Sequence, residues 1–140
     1  MERVNEKNET IQEYTKLSQH YLESARLSLD KELYEPALFN AIHALELSLK
    51  AALFSKTTQL WKTHNIGGEF GKHFKDHIGP DICRKINIIL SKYNQSRYPG
   101  QPAIDPEEVE ENIKRIKEII EETILPLIDS NMSNLQKNEK

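Results

Sequence analysis

The segment from about Leu33 to about Ser55 constrains the fold most. Its apolar residues recur at three- and four-residue spacing, which predicts a single helix. At 100° per residue, Leu38, Ile42, Leu45, Leu49 and Leu53 form a face of large side chains. Ala37, Ala41, Ala44, Ser48 and Ala52 form an adjoining face of small ones. Small residues let another backbone approach closely, and large ones fill the space on the other side. So wide an apolar arc makes this helix central, covered by other elements. Its remaining stripe holds Asn40, His43, Glu46 and Lys50.

The rest of the chain reads as helices of the same kind. A first helix is expected from about Glu9 to about Asp30, with Ile11, Tyr14, Leu17, Tyr21, Ala25 and Leu29 on its buried stripe. Thr63-His64-Asn65 and Ile66-Gly67-Gly68 read as a turn opening a short third helix that runs to about Asp76. Asp81 is the expected cap of a fourth helix carrying Ile82, Ile86, Ile89, Leu90 and Tyr93. The fifth has the best start signal: Asp105 as cap, Pro106 at the first helical position and Glu108 completing a capping box. Val109, Ile113, Ile116, Ile120, Ile124 and Leu127 continue it, and Pro126 is expected to end or kink it. No segment alternates with period two. The expectation is an all-α, antiparallel up-and-down bundle of four to five helices. One domain spans residues 1–140, with ends at about 1–8 and 131–140 expected to fray. A chain of this mass folds to about 7,500 Å² of surface from about 23,600 Å² unfolded, enough burial for one core.

Composition removes several classes. The lone cysteine, Cys83, excludes an intrachain disulfide framework and a cysteine zinc cage. No uninterrupted apolar run approaches the roughly 20 residues that span a bilayer. The opening residues Met1 to Lys7 contain no apolar signal region, so a cytoplasmic setting is expected. Net charge is −3, which argues against a dedicated nucleic-acid binder. Its distribution is uneven: residues 56–97 hold 8 basic and 3 acidic side chains, whereas residues 98–140 hold 5 and 10. The basic block contains His64, His73 and His77. It reads either as a solvated face lying beside an acidic one or as a surface for an anionic ligand or RNA.

The candidate chemistry is sparse. His73 and His77 share a helix face, but Phe74 stands where a zinc protease of the His-Glu-x-x-His type needs glutamate. Asp76 offers a third ligand with no evident fourth, so no metal or cofactor is expected. Cys83 lies near an apolar stripe and reads as a buried structural thiol. Gly67-Gly68 lacks the strand and lysine of a phosphate loop and reads as a turn pair, although a helix start there exposes N–H groups suited to phosphate. Glu46 and Lys50 form an i,i+4 pair in the favourable order, facing either the core or a cleft. Arg97, followed by Tyr98 at the end of helix four, either offsets the helix dipole or binds phosphate.

The run Tyr34-Glu35-Pro36-Ala37-Leu38-Phe39-Asn40-Ala41-Ile42-His43-Ala44-Leu45-Glu46-Leu47-Ser48-Leu49-Lys50-Ala51-Ala52-Leu53 resembles the second helix of the HEPN family (higher eukaryotes and prokaryotes nucleotide-binding). Tyr21-Leu22-Glu23-Ser24-Ala25 is similar to the family's first helix, Thr63-His64-Asn65-Ile66 to its turn before helix three, and Ser96-Arg97-Tyr98-Pro99 to its arginine-containing end of helix four. The likeness covers about residues 14–125 and is nearest to small stand-alone prokaryotic and archaeal members, many encoded beside a minimal nucleotidyltransferase. It implies a bundle that dimerises. In many members an Arg-x(4–6)-His motif in the dimer cleft cleaves RNA without metal, the histidine moving a proton from the ribose 2′-OH and the arginine steadying the phosphate. Arg97 matches the arginine. The histidine would fall at Pro102, Ala103 or Ile104, and no histidine follows His77.

Three readings follow. The first is a HEPN protein without the usual catalytic histidine: a homodimeric nucleotide- or RNA-binding or partner module, paired with a nucleotidyltransferase in a toxin–antitoxin-like role. Arg97, Tyr98, His64, Asn65, Glu46 and Lys50 would line its site, and Tyr98 is the nearest candidate for modification by the partner. The second is an endoribonuclease in which His43 or His64 replaces the missing base beside Arg97. The third is a purely structural interaction bundle.

Overall fold

The computed structural model describes residues 2–61, 66–93, 96 and 98–138, and every regular element among them is helical. The order is α1 (Glu2–Asp30), α2 (Tyr34–Thr57), α3 (Ile66–Ile78), α4 (Pro80–Leu90) and α5 (Pro106–Ile119). A π-helical turn (Ile120–Ile124) then joins α5 to α6 (Leu125–Asn138), making one continuous rod. The fold is therefore the all-α bundle that the periodicity implied.

α2 is the centre. Both of its expected faces are buried, with Leu38, Ile42, Leu45, Leu49 and Leu53 on one and Ala37, Ala41, Ala44, Ser48 and Ala52 on the other. It touches α1, α3, α5 and α6. By length and hydropathy α2 also passes as a membrane span, but 72% of its most apolar window is covered inside the bundle. Its apolar surface is thus consumed by other helices rather than offered to lipid.

α1 lies antiparallel against the small face. Lys7 sits over the Phe54 ring, the Ser18 hydroxyl donates to the Ala44 carbonyl at 2.7 Å, and Asn40 Nδ2 donates to Ser24 Oγ at 3.1 Å. Ile11, Ser18 and Ala25 are buried at seven-residue spacing, the repeat of a coiled-coil seam. This corrects the stripe expected for α1: Leu17 is 44% exposed, and Ser18 takes the interior place. There the Ser18 hydroxyl finds its acceptor in the Ala44 carbonyl. Contact at Lys7 also explains why α1 starts at Glu2, ahead of the expected Glu9.

The turn from α1 to α2 is a Schellman arrangement. Leu33 N–H donates to the Ser28 carbonyl and Glu32 N–H to the Leu29 carbonyl, both at 2.9 Å. Glu32 occupies the left-handed position with φ 60°, where glycine is the usual occupant.

Four local expectations change. Gly67 and Gly68 lie inside the first turn of α3 rather than in a preceding turn. Gly67 packs closely on α4: a Cβ there would meet the side-chain tips of Leu90 and Asn87, which would have to move. The cap of α4 is Gly79 at φ 95°, not Asp81, because Pro80 takes the first helical position, where its missing N–H costs nothing. Asp81 instead pairs with Arg84. At α5 the Asp105 carboxylate accepts from Glu107 N–H at 3.0 Å, as a cap should. Glu108 is drawn to Lys92 across the segment that joins α4 to α5, instead of completing the capping box. Pro126 neither ends nor breaks the last helix. The π turn ahead of it, closed by Leu125 N–H bonding to the Ile120 carbonyl, shifts the ladder by one residue and makes room for the proline ring. Asn131 Nδ2 then ties α6 to Ser55 Oγ of α2 at 2.9 Å.

Two substitutions test these packing assignments by urea unfolding. Glu32→Gly should stabilise the fold by about 0.5–1 kcal/mol by relieving the left-handed backbone. Gly71→Ala meets no atom within 4 Å and should gain about 0.5–1 kcal/mol of helix stability. Gly67→Ala should gain less than Gly71→Ala, because Leu90 and Asn87 must move.

Candidate functional site

The polar stripe of α2 divides by depth. Asn40 and His43 are half-buried. Glu46 is 1% exposed, among the most enclosed side chains of the described residues. Lys50, one turn further on, is half-buried, and its Nζ lies 3.1 Å from Glu46 Oε1. The pair thus belongs to the core at its acidic end and reaches toward the surface at its basic end. An ion pair this enclosed costs desolvation, which its mutual attraction repays only with good geometry.

His43 stands on the same face of α2, roughly one turn from Glu46. Its ring meets Tyr21 of α1 edge-on at 4.5 Å and lies nearly parallel to Phe39 at 6.1 Å. Phe39 in turn lies 5.5 Å from Tyr93, which follows α4. Four half-buried rings from three segments therefore form one row, Tyr21–His43–Phe39–Tyr93. The sequence reading placed His43 on the stripe but missed the row; the four-residue spacing of Phe39 and His43 is the one signal of it.

Of the other expected site residues, Tyr98 is 50% exposed and lies beyond α4, which ends at Leu90, sooner than the expected helix end at Arg97. Arg97, His64 and Asn65 lie outside the described residues. His73 and His77 are on α3, and the His73 carbonyl accepts from Lys56 Nζ at 2.6 Å. Among the described residues no group of three or more His, Cys, Asp or Glu side chains is arranged to hold a metal. Cys83 is buried in α4, and that burial pushes its thiol up from the usual range despite nearby Lys75, which fits a structural thiol. Burial also pulls the Lys7 ammonium below its ordinary pKa. Two surface clefts, of about 630 and 440 Å³, run along α5 and share Glu107, Glu111 and Arg115 in their walls, and a third, of about 560 Å³, lies between α3 and α4.

The ion pair generates a stability prediction. Lys50→Met removes the ammonium that stands 3.1 Å from the enclosed Glu46 carboxylate and should destabilise the fold by about 3 kcal/mol in urea unfolding. Adding Glu46→Leu should recover part of that loss, since no enclosed carboxylate then needs the missing counter-charge.

No curated protein matches the chain. The family model described as HEPN domain matches residues 11–125, a span that contains α1 from Ile11, the whole of α2 to α5 and the π turn. The chain belongs to the HEPN domain family and is, in general terms, a nucleotide- or RNA-related module.

Proposed function

We propose that this is a HEPN module that binds nucleotide or RNA without cleaving it, acting as a homodimer and serving a nucleotidyltransferase partner. One observation carries the reading: Pro102, Ala103 and Ile104 occupy the positions where the family's Arg-x(4–6)-His motif, begun by Arg97, needs its histidine. None of these side chains can accept a proton from a ribose 2′-OH. What remains is the arginine that would hold phosphate, next to Tyr98, with the Glu46–Lys50 pair and His43 on one face of α2. Exposed Tyr98, 50% accessible, is the residue a partner transferase would reach for modification. The homodimer follows the family resemblance, and Leu17 and Leu27 are among the large apolar side chains left exposed for a partner copy.

A second reading, ribonuclease with a displaced base, is favoured by the position of His43. Through Phe39 it connects to Tyr93, four residues ahead of Arg97 in the chain.

Incubating the protein with a mixed RNA pool in EDTA, with Arg97→Ala alongside, separates the two. The expected result is binding without cleavage, weakened about tenfold in Arg97→Ala through loss of a charged hydrogen bond to phosphate. Cleavage that disappears in Arg97→Ala would overturn the proposal, and loss of that cleavage in His43→Ala would identify the base.

A further inference from the structure

α3 and α4 pack as an antiparallel hairpin away from the polar stripe of α2. Gly67, at the start of α3, lies against Leu90 and Asn87 near the end of α4. Lys75, near the end of α3, is close enough to Cys83 for its charge to act on the thiol. Between the two helices lies the open cleft of about 560 Å³. Its α3 wall is bare backbone at Gly68 and Gly71, and a Cβ at Gly71 would meet no atom within 4 Å. On the α4 wall stands Ile88, which is 53% exposed. From Gly68 to Lys75 the wall runs about 10 Å, close to two helical turns.

The charge lining this groove has one sign. Lys75 and Arg84 stand in it, and no described carboxylate does. Lys75 has no ion-pair partner among the described residues. Arg84 pairs with Asp81 of its own helix, and that pair is exposed at both ends. A surface pair of this kind is weak enough to exchange for another carboxylate.

The classes of occupant fit this surface unequally. A phosphate backbone would use the cations but not Ile88, and no described aromatic ring lines the groove for a base to stack on. In a second copy the densest acidic stretch, Glu107 to Glu111, lies on α5, whose Val109, Ile113 and Ile116 are already buried. An amphipathic helix with an acidic flank uses every feature. Its apolar side covers Ile88, its carboxylates reach Lys75 and Arg84, and the glycines let its backbone approach α3.

We propose that the groove between α3 and α4 docks an acidic amphipathic helix of a partner protein. Ile88 is the apolar anchor, and Lys75 and Arg84 are the charges that select the partner. The surface is separate from the α2 stripe and does not depend on nucleotide or RNA binding.

The test uses a synthetic helical peptide of about four turns, with leucines on one face and glutamates flanking them. One control peptide has the same composition with its leucines scattered, and another carries lysine in place of glutamate. Amide NMR of the full chain follows the Gly68, Gly71 and Ile88 resonances during titration. The acidic amphipathic peptide should shift these three and bind about tenfold more tightly than either control. Gly71→Leu fills the groove where the structure leaves space, and it should abolish binding. Lys75→Glu should weaken the acidic peptide about tenfold and favour the lysine peptide. Thermal melts check that the variants are folded, and Ile88→Ser serves as a further variant if Gly71→Leu is not. Undiminished binding in folded Gly71→Leu, equal binding of the scattered-leucine peptide, or no binding by wild type would each overturn the proposal. Displacement of the peptide by single-stranded oligouridylate would also overturn it, assigning the groove to phosphate. Self-association of the free chain that disappears in Gly71→Leu would overturn it in favour of a second copy.

Discussion

The close approach of α1 to α2 is the contact on which the other arrangements depend. It is marked by small residues: Ser18 bonds the Ala44 carbonyl, and Ala25 of α1 and Ala37, Ala41 and Ala44 of α2 are all fully or almost fully buried. At that distance a hydroxyl would be stranded without an acceptor, and Ser18 finds one in the Ala44 carbonyl. With its small face committed to α1, α2 turns its leucines and Ile42 toward the remaining helices. The same closeness puts Tyr21 against His43 and Ser24 against Asn40. The geometry of the polar stripe is thus a consequence of helix packing rather than a separate construction.

Against this apolar background Glu46 and Lys50 are the exception. Apolar side chains of similar volume would fill the same space at lower desolvation cost. The structure instead keeps a carboxylate at 1% exposure, held by an ammonium 3.1 Å away whose stem reaches toward solvent. A fold that retains a charge at its centre departs from the consistency expected of a purely structural bundle, and such departures concentrate at functional sites. The position of the pair on the His43 face fits that pattern. By length and hydropathy α2 passes as a membrane span, and it is its 72% burial inside the bundle that makes it a core helix.

Where the sequence was legible, the signals were local or periodic. The two faces of α2 follow from helical spacing alone, and Asp105-Pro106 announces its helix because a cap needs only the residues beside it. Most of the misread positions depend on a distant neighbour. Ser18 replaces Leu17 inside because Ala44 lies opposite. Gly67 is glycine because Leu90 and Asn87 press on it. Glu108 leaves its capping box because Lys92 is within reach. Pro126 is accommodated by a π turn formed in the residues before it. Of the candidate site, Glu46, Lys50 and His43 could be placed on one stripe, but the depth of each could not, and Tyr21 and Tyr93 join Phe39 only through folding.

The sequence by itself determined the fold class, the central place of α2 and membership of the family, because these rest on spacing along the chain and on motifs in a fixed order. It also determined that a proline, an alanine and an isoleucine stand where the family's histidine would be. Only the tertiary structure decided that Glu46 is inside while Lys50 reaches the edge, and that four rings from three segments share one row. Burial depth and ring contacts depend on which elements pack together and how closely, and a one-dimensional period does not carry that information.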